Sequence, residues 1–349
     1  MTLKVLSIEN LRNLTNLRVS LHPRLNVISG HNGTGKTSFL EAIYLLSCGK
    51  SFRARETSAL VTHDQSQLTL HAKLIDDRSI ALQKSLTEVN VMRVNDVPCS
   101  SVADFARVLP AQVFYQDIFQ IIDAGPAVRR SVLDWGLFHV KHQYYEYWKN
   151  YRRVLKQRNS LLRQRARPVA FIPWDQQLSD LAHEMDQLRY AYLVELKERF
   201  YETLPRLTTL SCSLDYFKGW DRRQENKSLK IILEESLPGD LQYQYTRYGA
   251  HQAELLFLSG EHKSKHFLSR GQQKIILFAL KIAQSQLLDR ECLFLMDDLF
   301  AEFDEKHSVQ LVSYLLETPG QFFVTCHDGL PHFINCAPDQ YQLIDLSCI

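Results

Sequence analysis

What the 349-residue chain lacks narrows its class first. No run approaches the roughly 18 apolar residues that a membrane-spanning helix needs. The opening stretch MTLKVLSIENLRNL carries Lys4, Glu9 and Arg12 among its apolar residues, so it lacks the apolar block of a secretory signal. None of the seven cysteines (Cys48, Cys99, Cys212, Cys292, Cys326, Cys336, Cys348) stands in a C-x-x-C pair. That argues against a zinc site or a disulfide framework and for reduced thiols. The expectation is a cytoplasmic protein with no membrane partner. An excess of one charge is missing too: 41 basic against 39 acidic residues leave +2, so any nucleic-acid contact must come from a local patch. There is no internal repeat and no low-complexity tract.

What is present is ordinary in bulk, with 45% hydrophobic and 23% charged residues, and long enough for two or three domains or one with a large insertion. Residues 3–8, 16–21 and 25–29 are short, rich in Leu, Val and Ile, and read as strands. The last runs into GHNGTGKTS, which fits the phosphate-loop pattern G-x-x-x-x-G-K-[ST] through Gly30, Gly35, Lys36 and Thr37. Apolar Phe39, Leu40, Ile43 and Leu46 then recur at helical spacing. Strand, glycine-rich loop and helix are the context in which such a loop cradles phosphates. Between 67 and 97 the alternation predicts an antiparallel sheet. Between about 127 and 205 the pattern turns helical and highly charged, broken by Pro168 and Pro173.

Four further stretches gain weight together. CLFLMDD (292–298) is an apolar strand ending in acids; Asp297 is placed to serve Mg²⁺ and Asp298 to orient or deprotonate an attacking water. Strand ends often carry acids, so the pair counts only in company. LSRGQQK (268–274) puts Ser269, Gly271 and Gln272 at a helix start, where free amides and the helix dipole attract anions. A plain serine cap would look the same locally. FAEFD (300–304) follows the acids directly, and FFVTCHD delivers His327 from a strand end, suited to a γ-phosphate contact. In this order they point to an ABC-type ATPase, in which ATP joins two chains head to tail and hydrolysis releases them. The aspartate at 298, shorter than the glutamate common there, predicts slow turnover.

The long stretch between Thr37 and Leu268 exceeds what a transporter's nucleotide-binding domain uses, and the charged helical segment is too short for the coiled coil of an SMC protein. NLRNL, GHNGTGKTSFLEAIYLLSCGKSFR, DAGPAVRRSVLDW, YRRVLKQRNSLLRQ, PWDQQL, LSRGQQK and LMDDLFAEFD together resemble the RecF family of bacterial DNA replication and repair ATPases, from residue 1 to about 328. The resemblance implies an α/β fold: an ABC-type head, with a mixed sheet carrying the loop and an antiparallel β subdomain, over 1–126 and 246–349. A mainly helical lobe over 127–245 replaces any long coiled coil. It implies a weak DNA-dependent ATPase that uses ATP and Mg²⁺, dimerises on duplex DNA near single-strand gaps and junctions, and works with RecR, and with RecO and RecA in the pathway, in gap repair and the SOS response.

Carried over by residue, Gly30, His31, Asn32, Gly33, Thr34, Gly35, Lys36, Thr37 and Ser38 line the phosphates, with Thr37 and Asp297 on Mg²⁺ and Asn32 near the γ-phosphate. Arg12 matches a basic residue near the nucleotide. Gln112 is the candidate Q-loop glutamine, with Gln116 as the alternative. Ser269, Gly271 and Gln272 complete the partner's site, while Lys36, Gln112, Asp298 and His327 act in catalysis. The family's G-P-H-[KR] reads GAHQ here (249–252), so its Pro and its basic residue become Ala250 and Gln252, and any DNA or phosphate contact that the basic residue makes in the family is absent. For DNA, the supply is Arg152, Arg153, Lys156, Arg158, Arg163, Arg165 and Arg167, with Arg129 and Arg130; a solvated helix face is the plainer reading. Two other functions stand as alternatives: an ATPase energising a membrane complex, and a small-molecule kinase, which would lack LSRGQQK.

Overall fold

A computed structural model of the chain describes residues 2–223, 225–260, 262–263, 268–301, 303, 305–327, 331 and 338–348. The chain divides into two compact units, Met1–Ile118 with Leu288–Ile349, and Phe119–Leu287.

The first unit starts with β1 (Leu3–Leu11), β2 (Leu14–Ser20) and β3 (Leu25–Ser29), followed by α1 (Lys36–Cys48). Then come β4 (Gln67–Leu74), β5 (Ser79–Ser85), β6 (Val91–Val94), β7 (Val97–Pro98), α2 (Val102–Ala106) and β8 (Ala111–Phe114). The apolar–polar alternation of 67–97 does form an antiparallel sheet, ordered β2-β1-β4-β5-β6-β7.

The second unit holds α3 (Gln120–Asp123), α4 (Pro126–Val140), α5 (His142–Arg163), α6 (Ile172–Leu207), β9 (Ser213–Phe217), α7 (Leu229–Tyr243), β10 (Glu254–Ser259), β11 (His262–Lys263) and α8 (Arg270–Gln286). Pro173 sits in the first turn of α6, where its missing N–H costs nothing. The boundaries drawn from sequence need correcting, since residues 246–287 fall with the helices and not with the head. The reason is pairing and packing: β10 joins β9 antiparallel, and α8 packs along α6. There the Gln284 amide donates to the Tyr192 hydroxyl (3.1 Å) and the Val132 carbonyl (2.8 Å).

The chain returns to the first unit with β12 (Leu293–Met296), α9 (Glu305–Glu317), β13 (Gln321–Thr325) and β14 (Tyr341–Asp345). These complete a five-stranded parallel sheet, β14-β3-β13-β12-β8, whose strands β3, β8, β12 and β13 are buried throughout. Strands covered on both faces read as continuous apolar runs, hence LNVIS, LFLM and QFFVT. One core joins both sheets through α1: Leu6, Ile8 and Leu70 meet Phe39, Ile43, Leu295 and Phe323. Each such buried side chain contributes about 1.5–3 kcal/mol. Among the described residues, no helix is long and apolar enough to cross a membrane.

Candidate nucleotide site

Parallel register fixes which residues meet. Ile28 pairs with Thr325, Val324 with Met296, and Met296 with Phe114. The segments that follow β3, β12 and β13 therefore leave the sheet at one edge, the carboxyl edge, where open α/β sheets hold ligands.

The loop after β3 needs its glycines. Gly35 has φ +105, and a Cβ there would stand 2.7 Å from Leu14 Cδ2. Gly30 has φ +143, and a Cβ would stand 2.6 Å from Thr34 Oγ1. The first α-helical bond of α1 runs from Phe39 N to Gly35 O (2.8 Å), so the preceding amides face out of the helix start, where the dipole favours an anion. Lys36, buried, donates through Nζ to the carbonyls of Gly30 (2.6 Å) and His31 (3.2 Å). His31, Asn32 and Gly33 form an exposed crest, while Thr34 Oγ1 donates to His31 O (2.9 Å).

Thr37 Oγ1 lies 3.1 and 3.0 Å from the two carboxylate oxygens of Asp297. Thr325, at the end of β13, adds its hydroxyl to Asp297 (2.9 Å) and accepts from the Asp298 amide (2.8 Å). Burial, with the charge of Asp298 behind it, raises the Asp297 carboxyl above the ordinary range, while the bonds from Thr325 and Thr37 and the charge of Arg53 oppose that. Asp298 is exposed, with φ +49. The His327 ring meets that of His31 edge-on, 5.5 Å between centroids, and its carbonyl accepts from Gly30 N (3.2 Å).

Other expected residues stand elsewhere. The Arg12 guanidinium is gripped by the buried carboxylate of Glu41 on α1 through two nitrogens. Its neighbour Asn13 braces the loop instead, donating to Gly33 O (2.8 Å) and accepting from Ser38 Oγ (3.2 Å). The two-residue turn between β1 and β2 explains this, since Leu11–Leu14 pairing leaves both side chains at its tip. Gln112 is a correction: it is buried within β8, paired with Phe294 and short of the sheet's edge, whereas Gln116 follows the strand end. Asn13, Thr325 and Arg53 lie inside the quoted stretches NLRNL, FFVTCHD and GKSFR but were given no role there; a hairpin tip brings Asn13 to the loop and strand register brings Thr325 to Asp297.

In the second unit, Ser269 caps α8. Its Oγ accepts from Gln272 N (3.3 Å) while Gln272 Oε1 accepts from Ser269 N (2.9 Å), a reciprocal capping box. A Cβ on Gly271 would meet nothing within 4 Å, so the helix start is open to an approaching group. Within FAEFD, Glu302 and Asp304 lie outside the described residues.

Three of the expected DNA contacts are corrected. Arg158 is wholly buried, donating to Asp175 (2.6 Å), Asp240 (2.8 Å) and Thr246 (2.8 Å). Arg129 is buried against Glu254 and the Ile122 carbonyl (2.8 Å), and Arg130 donates to Ala253 O (2.8 Å). Arg152, Arg153 and Lys156 are exposed. GAHQ is likewise structural: the Ala250 carbonyl accepts from Arg189 (2.7 Å), and His251 bridges the Tyr151 hydroxyl (2.7 Å) and Thr246 O (2.9 Å).

The head fold is shared with the solved structure of an SMC head bound to the C-winged helix domain of ScpA: TM-score 0.58, 16% identity, 94% of this chain and 90% of that one. This is the ATPase head class to which RecF, RecN and SMC proteins contribute, and their N-terminal domain family matches residues 2–332. "DNA replication and repair protein RecF" from Azotobacter vinelandii is 37% identical over 94% of this chain and 92% of its own. The solved structure of the recombination mediator protein RecF with ATP, in the RecFOR pathway, superposes with TM-score 0.84 at 25% identity, over 93% of this chain and 92% of that chain. The chain belongs to the RecF family.

Proposed function

We propose that the protein is an ATP-switched DNA-binding repair factor with weak, DNA-dependent ATPase activity. One observation carries this reading: a buried lysine held by loop carbonyls stands at the same sheet edge as an aspartate held by two threonine hydroxyls. A hydroxyl and a carboxylate are the hard oxygen donors that Mg²⁺ takes alongside nucleotide phosphates, so Thr37 and Asp297 fit that ion. Bound ATP supplies the γ-phosphate, the group that hydrolysis removes. The 30–38 loop and Lys36 orient the phosphates, Asp298 positions the attacking water, and His327 faces the terminal phosphate. Ser269, Gly271 and Gln272 complete the site of a second chain facing head to tail, so that nucleotide acts as a clamp switch. The relatives' names, DNA replication and repair and the RecFOR pathway, support a DNA partner and the company of RecR and RecO; duplex DNA beside single-strand gaps, and RecA, come from the family resemblance.

The test follows labelled duplex DNA by anisotropy with ATP, with ADP and without nucleotide, for the wild type and Ser269→Arg. ATP tightens binding in the wild type, and the variant, while still binding ATP, loses that gain. Binding indifferent to nucleotide and mutation overturns the reading.

A further inference from the structure

Helix α5 has two stripes. The inner one runs Tyr144, Tyr151, Val154, Arg158 and Leu162, all buried. Its tyrosine hydroxyls have partners, Asp134 (2.6 Å) for Tyr144 and His251 (2.7 Å) for Tyr151, as core tyrosines require. The outer stripe runs Tyr145, Trp148, Arg152 and Lys156, three or four residues apart on one face. Tyr145 and Trp148 stay part-exposed, although burial would serve both rings better.

The rings of that face form a line. Across the α4–α5 hairpin, Trp135 meets His139 at 4.7 Å, His139 meets Phe138 at 5.0 Å, and Phe138 meets Tyr145 at 5.7 Å. Tyr145 and Trp148 follow at 6.3 Å with planes only 21° apart, and the Arg152 guanidinium lies 4.7 Å over the indole. Beyond the rings the charge is one-sided. Lys149 has Glu146 at 4.0 Å, but Arg152, Arg153 and Lys156 have no ion pair among the described residues.

We propose that this stripe is a single-strand DNA platform: unpaired bases stack on Trp148 and Tyr145, and Arg152, Arg153 and Lys156 take the phosphates on either side. The Arg152 guanidinium lies on the indole face that an unpaired base would take, so an entering base replaces it and turns it toward a flanking phosphate, whereas a paired duplex keeps its base faces covered and needs only the charge. The inference rests on the reading of the protein as DNA-binding and adds where a gap's unpaired strand is held.

The test compares a labelled oligothymidylate with a blunt duplex of equal length, both titrated with the full chain in ATP and Mg²⁺. Trp148→Leu weakens oligothymidylate binding about tenfold and leaves duplex binding within about twofold, and Trp148→Phe restores most of the loss. Arg152→Gln, on an exposed side chain, weakens the oligothymidylate more than the duplex and guards against misfolding of the indole variant. The platform is overturned if Trp148→Leu and Arg152→Gln bind oligothymidylate like the wild type, or lose both ligands equally. Should the wild type bind duplex but not oligothymidylate, this inference falls and the proposed function stands; should it bind neither, both fall.

Discussion

Arg158 in the helical unit and Lys36 in the sheet unit are both buried cations, yet their partners differ in kind. Arg158 faces two carboxylates and a hydroxyl, which cancel its charge through Nε and Nη1, while Nη2 has no hydrogen-bond partner among the described residues. Lys36 faces two backbone carbonyls, neutral dipoles that orient the ammonium, and has no ion pair among the described residues. Asp297 is the mirror case, its carboxylate held by the hydroxyls of Thr37 and Thr325, with the charge of Arg53 acting on it from a distance. Charge neutralised inside the fold builds architecture. Charge oriented by neutral groups stays available to a ligand of opposite sign, which is what the proposed function asks of Lys36 and Asp297. Counting basic residues along the chain cannot separate the two.

The contrast predicts where mutation is felt. Arg158→Leu leaves the buried Asp175 without its partner and Asp240 with Arg247 alone (2.9 Å), and urea denaturation should show a loss of about 3–5 kcal/mol. A loss of similar size for Lys36→Ala would break the comparison. Asp297→Asn should lower Mg²⁺-dependent ATP turnover about a hundredfold, the scale of one preorganised electrostatic contact, without lowering the melting temperature. Undiminished turnover would make that carboxylate merely structural.

His251 sharpens the architectural side through pH. Burial, aided by the charges of Arg130 and Arg158, pulls its pKa down to about 4, against the bond to Thr246. The unfolded chain binds this proton more readily than the folded one, so stability is full above about pH 6.5 and falls as pH drops toward 4, by on the order of 2–3 kcal/mol. His251→Gln should flatten that part of the curve in pH-dependent denaturation. The smallest effect belongs to Ser269→Ala, which removes a cap worth about 1 kcal/mol by thermal melting yet should abolish the ATP-dependent gain in DNA affinity.

Much of the nucleotide site was legible because its signals are local. Gly30, Gly35, Lys36 and Thr37 lie within one turn of backbone, and Asp297 and Asp298 end an unmistakably apolar strand. Asn13 and Thr325 were not legible, since each acts through a neighbour distant in sequence. The strand β9 inside a segment read as helical was missed for the same reason: its partner β10 begins only at Glu254. Arg158 was misread although the pattern held the answer, for it falls in the helical register of Tyr151, Val154 and Leu162. Charge type outweighed position in that reading, and position decides burial.

The order of strands in the parallel sheet carries a consequence for synthesis. β3, which delivers the loop, sits between β13 and β14, both made from the chain's final stretch. When β3 leaves the ribosome, neither neighbour has been translated, and its apolar residues and backbone groups must wait for nearly all the remaining chain. The sheet closes late, through contacts of very long sequence separation, so the helical unit can fold while the head is still open. A product cut short before Tyr341 keeps every residue of the glycine-rich loop and loses the strand that flanks it on one side. Such a product leaves one edge of β3 unpaired, an open strand edge of the kind that invites pairing with other chains.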